Sequence, residues 1–136
     1  MASILKVDAL QGVTAAGSIL VTGEGNSTTT NLQQGLAKAW ARIDASGTMT
    51  AQNSLNLSSL TDGGVGQVEM NFSTSFNDAE YAGAGMAGND GTTTGNRSQV
   101  VDNTPATGNF HFRNISGTSG NQDDANIMMS IHGDLA

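Results

Sequence analysis

The chain has 136 residues, enough for one domain, with 37% hydrophobic and 12% charged residues and 18 glycines. A net charge of −7, with five Lys and Arg residues and no basic stripe, excludes a phosphate-driven partner such as DNA or RNA. No cysteine means no disulfide framework and no thiolate metal site, and no apolar run approaches the roughly 20 residues that span a bilayer.

In chain order, residues 4–10 read as a short strand, with Lys6 and Asp8 on one face and Leu5 and Val7 on the other. Residues 11–17 are small and turn-like. Ile19-Leu20-Val21 is a second apolar run, and residues 23–30 form a polar linker. Residues 1–30 are thus expected to be an extended N-terminal arm, and residues 31–136 the β domain. Two short apolar strands cannot bury themselves alone, so the arm is expected to pack on another subunit or a neighbouring protein. The N-terminus lacks a basic region followed by an apolar run, so no secretory signal is expected, and the chain reads as a whole gene product.

Residues 31–43 fit two templates. Leu32, Leu36, Trp40 and Ile43 share a helical face. As a strand, Ala39, Ala41 and Ile43 share one face, and Lys38, Trp40 and Arg42 the other. Gly35 costs a helix about 1 kcal/mol relative to Ala. The reading adopted is a turn or short helix ending near Gly35, then a strand. Leu55-Asn56-Leu57 alternates weakly, and Val68, Met70 and Phe72 alternate with Gln67, Glu69 and Asn71. Thr61-Asp62-Gly63-Gly64 between them has the chemistry of a hairpin turn. Further strands are expected near residues 81–86, 97–101, 109–115 and 127–132. Loops at 87–96 and 116–124 are expected to face outward. Short strands separated by glycine-rich turns imply an all-β, antiparallel β-sandwich or jelly-roll-like domain.

Lys38-Ala39-Trp40, Ile43-Asp44, Ser46-Gly47-Thr48, Ser54-Leu55-Asn56-Leu57-Ser58-Ser59-Leu60-Thr61-Asp62, Met70-Asn71-Phe72-Ser73-Thr74 and Tyr81 stand in an order that resembles small virion proteins of tailed bacteriophages. Those proteins, marine and freshwater ones in particular, are described as tail fibres or structural proteins. The start, Ser3 through Gln11, is similar to the opening of many of them. The likeness covers residues 2–11 and 33–81, weakens over 82–120 and is faint at 127–135. Ala41-Arg42-Ile43 departs from the longer aromatic-rich strand that often follows the Trp. The resemblance implies a non-enzymatic virion protein, assembled in the host cytoplasm, most simply a homotrimeric tail fibre or fibre-attachment component. A capsid decoration or head fibre is the alternative position. A carbohydrate-binding adhesion module, meeting host surface glycans, is the alternative class. Other virion proteins are the expected partners, with no nucleic acid and no membrane insertion.

No catalytic residue, cofactor or metal is expected. His111 and His132 have no ligand neighbour at sequence spacing. Asn89-Asp90-Gly91 and Asn121-Gln122-Asp123-Asp124 are oxygen-rich but read as turns rather than calcium loops. Asp78 and Glu80 are two acids whose separation sequence cannot give, and Asp78 reads as a turn residue. The expected interface residues are Ile4, Leu5, Val7, Leu10, Ile19, Leu20 and Val21 in the arm, with Lys38, Trp40 and Arg42 in the domain. Trp40 between two cations has the composition of a binding hot spot.

Overall fold

The structure, a computed structural model, describes residues 6–11, 19–22, 29–88, 97–117 and 120–135. The chain divides into two units, Met1–Leu36 and Ala37–Ala136. In the first, β1 (Leu20–Thr22) and β2 (Thr29–Asn31) form an antiparallel pair, and one helical turn, α1, spans Leu32–Gly35. Part of the expected polar linker is therefore a strand. The Leu32 amide donates to the Ile19 carbonyl at 2.9 Å, which ties the helical turn to the hairpin. Residues 6–11 carry no strand, unlike the expectation for 4–10; Ile4 and Leu5 lie outside the described residues.

The second unit is all-β and antiparallel. Its strands are β3 (Ala37–Asp44), β4 (Thr50–Leu55), β5 (Leu57–Gly64), β6 (Gln67–Phe72), β7 (Ala82–Gly88), β8 (Arg97–Val101), β9 (Asn109–Ser116), β10 (Gly120–Asn121) and β11 (Asn126–His132). One sheet has the order β4-β3-β11-β7. In the other, β5, β6 and β9 are neighbours, β8 pairs β9 along its other edge, and β10 pairs the end of β9.

Period-two alternation builds the core. Ala39, Ala41 and Ile43 of β3 and Ile127, Met129 and Ile131 of β11 are buried, as are Val68, Met70 and Phe72 of β6 and Phe110 and Phe112 of β9. All belong to one apolar cluster, so the inner faces of the two sheets meet there. Each large side chain so buried contributes about 1.5–3 kcal/mol. At one end Phe76 and Tyr81 pack with ring centroids 4.6 Å apart and planes tilted by 36°, and Phe72 meets Phe76 edge-on at 4.9 Å. The Tyr81 hydroxyl lies 3.0 and 2.8 Å from the carbonyls of Ala106 and Asn109, so the phenol buries its ring while keeping polar partners.

Two local readings change. Leu55-Asn56-Leu57 is not one strand: Asn56 has φ 56° and separates β4 in one sheet from β5 in the other. Its side chain donates to the Thr74 carbonyl (2.9 Å) and accepts the Thr74 amide (2.7 Å), which holds the left-handed corner. The hairpin turn falls at Val65-Gly66, later than Asp62-Gly63-Gly64, which lie in an irregular part of β5. Gly66 is what fixes it. Its carbonyl accepts the Asn114 amide at 2.8 Å and its amide donates to Asp123 at 2.6 Å. With φ +70°, a Cβ there would sit 2.6 Å from the Gln122 nitrogen and 2.7 Å from the Asn114 oxygen.

Loop 116–124 also differs from the outward-facing expectation. Ser116 ends β9, Gly120 and Asn121 form β10, and Asp124 is buried. Arg97 Nε lies 3.0 Å from each carboxylate oxygen of Asp124, and the Asp124 carbonyl accepts the Ala45 amide at 3.0 Å. Gln99 donates to buried Asn114 at 3.1 Å beside this pair. Of loop 87–96, Ala87 and Gly88 belong to β7 and the rest lies outside the described residues.

Candidate functional site

The outer faces of the two sheets differ in chemistry. On the β6–β9 side, alternation sends Glu69, His111 and Arg113 outward. Glu69 meets His111 at 3.1 Å and Arg113 pairs with Asp102. The carboxylate neighbour of His111 is missing from local spacing because strand pairing supplies it, Glu69 standing directly opposite. Among the described residues no three His, Cys, Asp or Glu side chains cluster as metal ligands.

The outer face of the other sheet is apolar. Ser130 of β11 stands between Trp40 of β3 and Ala84 of β7, and Met128 between Arg42 and Met86. Leu55 of β4 pairs with Trp40 and extends the face. These rows enclose an open trough of about 520 Å³ lined by Trp40, Arg42, Ala84, Met86, Met128 and Ser130 among others. The small side chains of Ala84 and Ser130 leave the hollow, while Trp40, Met86 and Met128 border it. Met86 is 70% and Met128 45% exposed.

Charged residues of β3 stand on the same face. Lys38, Trp40 and Arg42 all occupy outward positions of β3, as the strand reading of 37–43 expects. Arg42 donates to the Asn126 side chain at 2.8 Å. Asp44, next on that face, accepts the Ser46 hydroxyl at 2.7 Å and the Ser46 amide at 3.0 Å. Those two hydrogen bonds, with a smaller contribution from Arg42, hold its carboxyl below the usual value.

Sequence reading missed one pair here. The Ser130 hydroxyl lies 3.2 Å from His132 Nε2, at the margin of the trough. The i, i+2 spacing on a strand was the available signal. The pair has the form of a nucleophile and base. However, β11 is paired on both sides, so its amides are engaged in the ladders and do not converge on a developing oxyanion near Ser130. The arrangement suits apolar contact better than acyl transfer.

The other candidates are occupied internally. Asp123 takes the Gly66 amide, Asp124 takes Arg97, and Asp78 accepts the Glu80 amide at 2.9 Å. The 89–91 segment lies outside the described residues. In the first unit, Val7, Leu10, Leu20 and Val21 are exposed and Ile19 is half-buried. Comparison with protein-family models, with curated proteins and with solved structures finds no match.

Proposed function

We propose that this chain is a non-enzymatic structural protein of a tailed-phage virion, acting in the tail fibre or its attachment as an assembly of identical copies. Its body is a β-sandwich, and the first unit is the arm that docks on neighbouring virion proteins. The resemblance of residues 2–11 and 33–81 supplies the phage context. The observation that carries the mechanical reading is the exposed apolar trough bordered by Trp40, Met86 and Met128. A contiguous apolar surface of this kind marks a contact with another macromolecule, and Trp beside Arg is the composition of an interface anchor. Adhesion and load-bearing then come from burying this surface and from strand pairing.

Quantitative mass spectrometry of purified particles tests the role. A few copies per virion are expected. Hundreds of copies would move the protein to the capsid surface, and absence from particles would refute the reading. Trp40→Ala is expected to lower incorporation while leaving the fold intact by circular dichroism.

A further inference from the structure

The edge strands of the second unit are not alike. β4 carries a register shift beside Ile43, and its Ser54 amide donates to the Asn53 side chain at 2.9 Å. β5 carries two register shifts, and Asp62 within it accepts the Gly64 amide at 2.8 Å. Bulges and polar side chains of this kind blunt an edge against foreign strands. β7 has neither. Its seven residues pair with β11 without a register shift, and it contains no charged residue and no proline. Residues 82–86 are exposed, and among the described residues β11 is the only strand hydrogen-bonded to it, although β8 of the other sheet packs close by.

An open edge is covered by another strand. For a chain of net charge −7, a second copy is repelled wherever like charges meet, and β7 offers a charge-free contact. It is also self-complementary. Set antiparallel about Gly85, two copies place each Met86 opposite Ala84 of the other on the outer face, and Ala82 opposite Gly88. On the inner side Gly85 meets Gly85 and Gly83 meets Ala87. Packing within the chain already accounts for Gly85, because a Cβ there would lie 2.6 Å from the Met128 carbonyl oxygen. Ala84 faces outward at the trough, where a larger side chain would fill the place that an opposing Met86 takes.

We propose that β7 pairs antiparallel with β7 of a second copy, joining two four-stranded sheets into one and bringing Met86 of each copy against the trough of the other. This rests on the reading of the chain as a self-assembling structural protein. It joins copies in pairs, in place of the three-fold assembly that the resemblance implies.

Sedimentation velocity of the full chain over a concentration series tests the pairing. Wild type is expected to dimerise reversibly. A charge on an edge strand opposes pairing, so Met86→Lys and Ala84→Lys are each expected to weaken the dimer at least about tenfold. Leu55→Lys, on the opposite edge, leaves it unchanged. Because the chain has no cysteine, mixed Ala84→Cys and Met86→Cys chains give a specific trap. They should cross-link to each other faster than either does alone. A monomer at every concentration, a trimer, or equal weakening by Leu55→Lys and Met86→Lys overturns the proposal. Particle incorporation of a monomeric chain would remove the pairing and keep the structural role. A paired chain missing from particles would do the reverse.

Discussion

Replacing Asp124 with alanine is expected to cost about 3–5 kcal/mol of folding stability, the usual penalty for leaving one member of a buried ion pair without its partner. The side chains of Asp124 and Arg97 retain only 2% and 8% of their accessibility. Arg97 Nε–H is shared between the two carboxylate oxygens, each 3.0 Å away. Alanine removes both acceptors and leaves a guanidinium with little water to replace them. At about 1.4 kcal/mol per decade, the folding constant falls by roughly two to three and a half decades, a large share of the 5–15 kcal/mol typical of a domain. The bond from the Ala45 amide to the Asp124 carbonyl survives, so the loss reports the side chain. The combined variant Asp124→Leu, Arg97→Met should recover most of it, because an apolar pair avoids desolvating two charges. Urea unfolding followed by the fluorescence of Trp40, the sole tryptophan, measures all three proteins. A loss under about 1 kcal/mol for Asp124→Ala, or a double variant no better than the single, would refute the reasoning.

Burial raises the pKa of Tyr81 above its ordinary value of 10.0. The neutral phenol is favoured in the folded state, so this contribution is full below pH 10 and is lost as pH rises through the folded pKa. Tyr81 is the sole tyrosine, and ultraviolet titration should show one midpoint above that of the urea-unfolded chain; an equal or lower midpoint contradicts the packing. Gly66→Ala should cost about 2–3 kcal/mol in urea unfolding, from left-handed strain and two displaced backbone partners. Gly47→Ala, with nothing within 4 Å of the new Cβ, should stay within about 0.5 kcal/mol. Glu69→Gln on the wetter face should cost less than about 1 kcal/mol, measured the same way, since the Glu69–His111 pair is partly exposed.

The inner faces were legible in the sequence because strand burial has a period of two that needs no partner to be read. Val68-Met70-Phe72, Phe110-Phe112 and Ile127-Met129-Ile131 all follow it, as do the outward Lys38, Trp40 and Arg42. β4 was not legible, since its exposed residues carry no alternation. The hairpin turn was misplaced because local chemistry favours Asp62-Gly63-Gly64, while the decisive bonds at Gly66 reach Asn114 and Asp123, far along the chain. The same holds for the trough. Trp40 was visible as a candidate, but Met86 and Met128 join it only through the pairing of β7 and β11. Arg97, Gln99 and Asn114 read as ordinary polar residues until β8 and β9 bring them beneath the sheet.

The placement of apolar side chains supports the proposal that another chain covers the trough. On its inner face β3 contributes mainly small side chains to the core, Ala39 and Ala41 beside Ile43, and Ala45 follows. Yet the outer face of the same sheet carries Trp40, Leu55, Met86 and Met128, which a lone domain would gain more by burying. The opposite outer face shows that this chain can dress a sheet for water, with Glu69, His111, Arg113 and Asp102 paired across strands. Charge follows the same division. In the second unit, Arg97 and Arg113 are bound to Asp124 and Asp102, whereas Arg42 lines the trough and Lys38 stands on the same outward face of β3. A sheet with Trp40, Met86 and Met128 on its outer face and an uncharged edge strand beside them fits the contact with another chain proposed above.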